Sequence, residues 1–524
     1  MRASRLILLG VLMAYPVVVI ALAASSGILL SQDSVSYLSA ARAMGAGSGL
    51  ISFDGQPLTL FPPGLPLLLG AVEGFGGSAE TAAVVLNAAC AALIVGGTYG
   101  LGYLVLRSTG LSLTAAGVVS LSAPFSYSFV WLWSEPLFTV LVMALLGLLA
   151  WAVRSGRSSW WIVIGAGLLV GGAISVRYVG YVLLPVVGLG IWWASRGSVN
   201  AATSGRALFR AVVAVALALA APVVMVVRNL SSGSGPFGDR YPGVRTLQDS
   251  LADATGVLGT FVFPPAPVGV AVVIGSLIAL LIVVALWSGL MDRDRVVLLL
   301  GGFAVLYMGA IVWSQTATRL DPPTARLLTP ALPALSVLAL VGLRILRDRM
   351  RRDAVAWTRA SPSAVVRSRG ASLAAGAGWT VIGLMALVVM VASIRADMRL
   401  VSDAREGRVG LRAAAEASAL AAAGVALPDA SGFASNDPWR MYLALGEAPV
   451  VHLPPSSAEW PIERIDRDLQ VLLDAVRAGS VTHALVVDGG GEVLSWSELV
   501  GEGIEAMLVA QTVEGDVYRL TSVG

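Results

Sequence analysis

The residues best placed for chemistry are three acids, Asp33, Asp54 and Glu135, one tyrosine, Tyr37, and four arginines, Arg42, Arg177, Arg319 and Arg326. In "SQDSVSYLSAARAM" (31–44), Asp33 and Tyr37 are four residues apart and share one face of a short helix, with Arg42 later in the same stretch. Ser31 or Asp33 can cap that helix by accepting from its free N–H groups. A carboxylate held just outside a membrane segment can also take the proton of an attacking hydroxyl, and both readings of Asp33 stand. Asp54 is the only other acid before the apolar stretch Leu65–Phe75. Glu135, between Ser134 and Pro136 in "WSEPLF", opens a helix, where an acid in the first turn is favourable in itself. It is also the one obvious further carboxylate for a catalytic role. Arg177 lies between two apolar runs, and charges beside spans either snorkel outward or serve function. "RLDPPTAR" supplies Arg319, Asp321 and Arg326. A guanidinium binds phosphate through paired N–H donors, so at least one of Arg177, Arg319 and Arg326 is expected on a lipid phosphate. The plainer alternative for the last group is an Arg319–Asp321 surface pair of little worth. Arg228, ending a span beside Asn229, reads as an interfacial anchor.

These residues are set in a chain of 524 residues that is 56% apolar and only 13% charged, with a mean hydropathy of +0.81. A soluble domain is about half apolar and about a quarter charged, and here the excess falls in long runs. The chain therefore reads as a polytopic α-helical membrane protein. With roughly 20 apolar residues per crossing, about 11 transmembrane helices are expected, near 6–30, 79–105, 111–131, 135–153, 158–176, 178–194, 208–227, 266–289, 296–314, 326–345 and 375–394. The pair flanking Arg177 can also be read as one long kinked segment. The first run resembles a secretory signal in its basic start and "ALA", but its length favours an anchor. With a cytoplasmic N-terminus, Arg107, Arg154, Arg157, Arg196, Arg206, Arg210, Arg293, Arg295 and the segments "RDRMRRD" and "VVRSRG" all fall on the cytoplasmic side. That is the positive-inside bias. It places 31–75, 229–265, the "SQTATRLDPPTAR" loop and everything after about Arg395 outside. Pro62 and Pro63 stiffen the return to the bilayer, and Leu65–Phe75 reads as an interfacial helix too short to cross.

The chain divides into a membrane domain, 1–394, which includes the first external loop 31–78, and a small extracytoplasmic α/β domain, 395–524. In the latter, "THALVVDGGG" and "GDVYRL" read as strands, and "RDLQVLLDAVRAG" as an amphipathic helix closed by Gly479. Cys90 is the single cysteine, which excludes an intrachain disulfide, and the two histidines, His452 and His483, both lie in the tail. A His/Cys zinc site in the membrane part is therefore excluded. Asp33, Asp54 and Glu135 could at most hold a divalent metal weakly, and no cofactor is expected. All 35 basic residues are arginine. They sit in loops without interleaved aromatics, which argues against nucleic acid.

The order of these motifs carries a resemblance. A first span, an external "D-S-x-x-Y-L" helix, "PPGLPLLLG", a further span and then "WSEPLF" at the outer start of the fourth resemble the GT-C glycosyltransferases. The branch they are most similar to is that of the protein O-mannosyltransferases and lipid A aminoarabinose transferases. "SVRYVGYVLLP" and "ATRLDPPTARLLTPALPAL" are similar to later parts of the pattern, and the likeness covers about residues 1–345. The resemblance implies a GT-C-like fold and transfer of a sugar from a polyprenyl-phosphate donor to a hydroxyl of a lipid, glycan or protein on the extracytoplasmic face. It implies a catalytic acid in the first external loop, at Asp33. Gln32-Asp33-Ser34 lacks the adjacent acid pair of some members, so Asp33 acts alone. A single displacement inverts the anomeric carbon; a retaining reaction would want a second carboxylate, for which Glu135 is the applicant. Tyr37, Arg42 and Asp54 are the further substrate-binding candidates. Two other classes remain: a transporter or lipid flippase, for which no internal repeat is visible, and a non-catalytic scaffold or lipid-carrier-binding protein.

Overall fold

The structure is a computed structural model that describes residues 3–196, 201–264, 266–319, 324–360, 387–456 and 460–523. By their contacts the residues group into two compact units. The first comprises Met1–Leu22, Val85–Val130 and Ser134–Val401; the second comprises Ala23–Val84, Trp131–Trp133 and Ser402–Gly524.

The first unit is a helical membrane bundle. Its elements are α1 (Ala3–Ala23), most of α4 (Ala79–Leu106), α5 (Thr109–Ser120), α6 (Ala123–Phe129), α7 (Glu135–Ser155), α8 (Trp160–Val176) and α9 (Leu183–Ser195). They continue through α10 (Ala201–Ser231), α11 (Leu247–Thr260), α12 (Val268–Met291), α13 (Arg295–Ala317), α14 (Ala325–Leu328) and α15 (Leu332–Ala360), then most of α16 (387–405). Among the described residues, eight helices are long and apolar enough to cross a membrane, and three shorter apolar helices accompany them, Gly64–Gly74, Thr109–Ser120 and Trp160–Val176. Helices suit such a chain because each satisfies its own backbone polar groups, which lipid cannot do. The protein is thus a multi-pass membrane protein. One expected span, 111–131, is broken: α5 stops at Ser120, and α6 restarts after Ser122 with a proline in its first turn. The expected span 375–394 lies largely outside the described residues, which resume at 387.

The helix ends are sorted by charge. Arg344 Nη1 donates to the Leu106 carbonyl at 2.6 Å, Arg154 pairs with Asp294 at 2.9 Å, and Arg295 Nη1 donates to the Trp193 carbonyl at 3.3 Å. These contacts gather the ends of α4, α7 and α9 and the α12–α13 turn at one arginine-rich end of the bundle. The starts of α7 and α9 and the ends of α8, α10 and α13 lie at the other.

The second unit contains α2 (Gln32–Gly45) and α3 (Gly64–Gly74), then α17 (Leu411–Glu416), α18 (Ala419–Val425), β1 (Phe433–Ser435), α19 (Pro438–Ala444), β2 (Val450–His452), α20 (Ile462–Arg477), β3 (His483–Val487), α21 (Trp496–Gly501), β4 (Ile504–Thr512) and β5 (Gly515–Ser522). The strands form one sheet in the order β2-β1-β3-β5-β4. β1 pairs in parallel with β2 and β3, and β5 pairs antiparallel with β3 and β4. Alternate strand residues point to opposite faces, which makes two cores. Phe433, Leu485 and Val517 pack with Met441 and Tyr442 of α19. Ala434, Ala484 and Leu520 pack with Leu469, Leu472 and Val476 of α20. Beyond the carboxyl end of β1, the Asn436 amide spans to the β3 side: its Oδ1 accepts from the Val487 N–H at 2.8 Å, and its Nδ2 donates to the carbonyls of Val487 and Gly491 at 3.0 and 3.2 Å.

The loop 31–78, assigned from sequence to the membrane domain, groups by contacts with the C-terminal segment. Val35 and Phe53 enter the core that contains Met441 and Tyr442. α2, expected to lie along the membrane surface, is buried continuously from Ser34 to Ala41. Its cover comes mainly from the neighbouring α3, with Val35 also entering the core built from the C-terminal segment.

Candidate functional site

In the membrane unit, three expected residues meet. Glu135 is the first residue of α7 and has no exposed side-chain surface. Its Oε1 accepts from Arg177 Nη1 and from Arg326 Nε, each at 2.5 Å. Arg177 Nη1 also donates to Ser134 Oγ at 3.1 Å. Oε2 of Glu135 is buried without a hydrogen-bond partner among the described residues.

Local folding explains why these side chains converge. α8 ends at Arg177, whose extended backbone (φ −149°, ψ 131°) breaks the helix, and a 3-10 turn, Tyr178–Val182, leads into α9. The two runs flanking Arg177 are therefore two elements. The turn closes on Gly180, where a Cβ would come within 2.9 Å of the Ile174 nitrogen, so only glycine fits without a shift. Arg326 lies in the four-residue helix α14, which is held by Tyr307, whose hydroxyl donates to the Leu327 carbonyl at 2.7 Å. Beside it, the Ser128 and Thr329 hydroxyls are hydrogen-bonded at 3.2 Å. Tyr178 Oη accepts from Asn229 Nδ2 at 2.9 Å, its ring meets Phe237 at 5.4 Å, and the Arg240 guanidinium lies 5.8 Å from its centroid.

The electrostatics follow from counting. Glu135 pairs with two guanidiniums, so these three side chains together carry a net positive charge. The amino end of α7 adds a partial positive charge of the same sign. Arg177 and Arg326 keep 15% and 18% of their side-chain surface exposed while Glu135 keeps none, so the arginines are the part a ligand can reach. Such a cluster suits an anion that accepts paired N–H donors, as a phosphate does. With Oε1 taken by two guanidiniums and no exposure, Glu135 is placed to position the arginines, and it is poorly placed as a nucleophile.

The other expected residues are distributed differently. Arg319 follows α13; its backbone N–H donates to the Tyr241 carbonyl at 2.8 Å, and Asp321 lies outside the described residues. In the second unit, Ser31 is the cap of α2: its Oγ accepts from the Ser34 N–H at 3.3 Å and from Trp133 Nε1 at 2.7 Å. Asp33 is half-buried in the first turn. Tyr37 is buried, with its ring 5.0 Å from that of Phe61. Arg42 is held by two acids, Glu80 at 3.0 Å and Glu447, and Arg412 pairs with Glu80 as well. Asp54 accepts from the Gln56 N–H at 3.1 Å within a turn and faces the field of His452, whose pKa burial pushes down and Asp468 and Asp54 partly restore. Among the described residues no three His, Cys, Asp or Glu side chains are grouped as a metal site.

Sequence reasoning missed Asp397. It is 1% exposed, and its Oδ2 accepts from the Tyr15 hydroxyl at 2.6 Å and from Ser126 Oγ at 3.4 Å. An acid directly after an apolar run was the available signal.

No family model matches the chain, and no curated protein does. Solved structures do. ArnT from Cupriavidus metallidurans bound to undecaprenyl phosphate matches with a TM-score of 0.60 at 16% identity, over 97% of each chain. Its apo state matches with a TM-score of 0.60 at 17% identity over the same shares. The archaeal oligosaccharyltransferase AglB from Archaeoglobus fulgidus, in complex with an inhibitory peptide and a dolichol-phosphate, matches with a TM-score of 0.51 at 12% identity, over 93% of this chain and 69% of that one. A helical membrane bundle that carries a small C-terminal sheet unit, and aligns with ArnT over nearly its whole length, has the GT-C fold.

Proposed function

We propose that the protein is a glycosyltransferase that moves a sugar from a polyprenyl-phosphate donor to an acceptor hydroxyl on the extracytoplasmic face. The observation that carries this reading is the Arg177–Glu135–Arg326 cluster, a buried acid organising two reachable guanidiniums. The fold it shares with ArnT, described with undecaprenyl phosphate bound, supports the same ligand chemistry. The cluster sits at the bundle end opposite the arginine-rich turns, which the positive-inside rule assigns to the outside.

The chemistry asked of such a site is modest. The acceptor oxygen attacks the anomeric carbon as the bond from that carbon to the phosphate oxygen breaks. The leaving phosphate keeps the bonding pair and gains charge. Arg177 and Arg326 stabilise that charge in place without reorganising, which is the most effective form of electrostatic catalysis. The acceptor proton goes to a general base. Asp33 is our candidate, on the resemblance and on its place in the first turn of α2. One displacement inverts the anomeric centre.

The test is sugar release by purified protein from polyprenyl-phosphate donors that carry mannose, glucose, arabinose or aminoarabinose, with lipid, glycan and peptide acceptors. Wild type turns over one donor; Arg326→Gln and Asp33→Asn lose turnover, the first with weakened donor binding and the second without. Neither binding nor turnover of any donor by wild type rejects the reading. Equal turnover by Asp33→Asn and wild type removes Asp33 from the mechanism.

A further inference from the structure

At the arginine-rich end of the bundle a groove runs between α9 and α10, with a volume of about 600 Å³. Every residue that lines it is apolar, among them Gly188, Trp192, Leu208, Val212 and Leu219. On α10 the lining recurs at three- and four-residue steps from Leu208 to Leu219, a length of about 16 Å at a helical rise of ~1.5 Å per residue. That is close to one leaflet of a hydrocarbon core ~30 Å thick. Gly188 keeps the floor open by presenting no side chain.

The mouth of the groove is polar and cationic. The Arg196 guanidinium lies 4.5 Å over the ring of Trp192, a lining residue. Arg196 Nε and Ser195 Oγ are buried and without a hydrogen-bond partner among the described residues. Arg295 reaches the same helix end. The acid beside it, Asp294, is already engaged by Arg154 and by the N–H groups of Val296 and Val297. A chain-length apolar channel that opens on an arginine with an unused donor and an unused hydroxyl matches a ligand with an alkyl tail and an anionic head.

We propose that this groove binds an anionic glycerophospholipid from the leaflet at the arginine-rich end, with one acyl chain along α10 and its phosphodiester on Arg196 and Ser195. The site is separate from the Glu135 cluster: α8 delivers Arg177 at one end of the bundle, and α9 ends at Arg196 at the other. It does not depend on the transfer reaction.

The experiment uses the full chain in phosphatidylcholine nanodiscs doped with acyl-brominated phosphatidylglycerol. Bromine quenches nearby indoles, and the Trp192 signal is the difference between wild type and Trp192→Phe. Brominated phosphatidylglycerol should quench Trp192 at about five-fold lower mole fraction than brominated phosphatidylcholine, the preference expected of one guanidinium near the surface. Arg196→Gln should abolish the preference and leave the melting temperature unchanged. Val212→Phe, at an exposed lining position, should fill the groove and reduce quenching by both lipids. Equal quenching by the two lipids in wild type overturns the proposal, as does a preference that survives Arg196→Gln. Displacement of the brominated lipid by undecaprenyl phosphate at lower mole fraction than by unlabelled phosphatidylglycerol overturns it in favour of a prenyl tail.

Discussion

Two arginine–glutamate clusters among the described residues use the same residue types to opposite ends. In the membrane unit, Arg177 and Arg326 both pair with Glu135. In the second unit, Arg42 and Arg412 share Glu80, and Arg42 has Glu447 besides. The three side chains of the first sum to a net positive charge around a fully buried acid. The second sums to zero among partly exposed side chains. A balanced cluster acts as a clamp on the chain segments it joins; an unbalanced one has charge that suits an anion. Arginine near a membrane surface is therefore a weak sign of lipid-phosphate binding until its partners are counted.

The comparison breaks or holds on a few substitutions. Arg177→Gln or Arg326→Gln should lower kcat/KM on the order of 10²–10³-fold, the scale of losing one charge-stabilising donor. Glu135→Gln should cost about 3–5 kcal/mol of stability, read as a lower melting temperature, because the charge between two part-buried guanidiniums is then lost. Replacing all three with apolar residues of similar size should recover much of that stability while leaving the protein inactive, which separates positioning from folding. Arg42→Gln should cost about 1 kcal/mol or less per pair and move kcat/KM by less than about three-fold. A hundred-fold loss there would return Arg42 to the ligand site and end the distinction between the clusters.

The smallest effect is one of pH. Burial alone would raise Glu514, but the Leu420 N–H, the Ser418 hydroxyl and Arg440 outweigh it and hold the carboxyl below its ordinary value of 4.5. Its contribution to the second unit is therefore complete above about pH 4.5 and fades as the pH falls through the depressed folded value. Melting curves between pH 7 and 3 should steepen below that point in wild type and less so in Glu514→Gln.

Much of the scaffold was legible because it is local. An N-cap serine before a helix, an acid at a helix start, a short apolar run ending in a turn such as His483–Val487 and a glycine with positive φ after Arg477 are set by near neighbours. The site was legible only as separate candidates. Glu135 and Arg326 stand 191 residues apart, and no spacing rule joins them. For the same reason sequence left Arg42 open as a ligand, since its partner Glu447 comes from the far tail. The burial of α2 was not legible either, because it depends on how α3 folds back onto it and on a core completed by the C-terminal segment. Asp397 was legible in principle, as a lone acid at the end of an apolar run.

The amide of Asn436 bears on what the C-terminal unit can recognise. In a parallel sheet of order β2-β1-β3, the crevice past the carboxyl ends, between β1 and β3, is where a small molecule ordinarily lodges. Here Asn436 fills it with three hydrogen bonds, and a Cβ at Gly490 would sit 2.5 Å from the Asn436 nitrogen. The vault is closed by its own keystone. A small molecule could lodge there only by displacing the Asn436 amide and giving up those three hydrogen bonds.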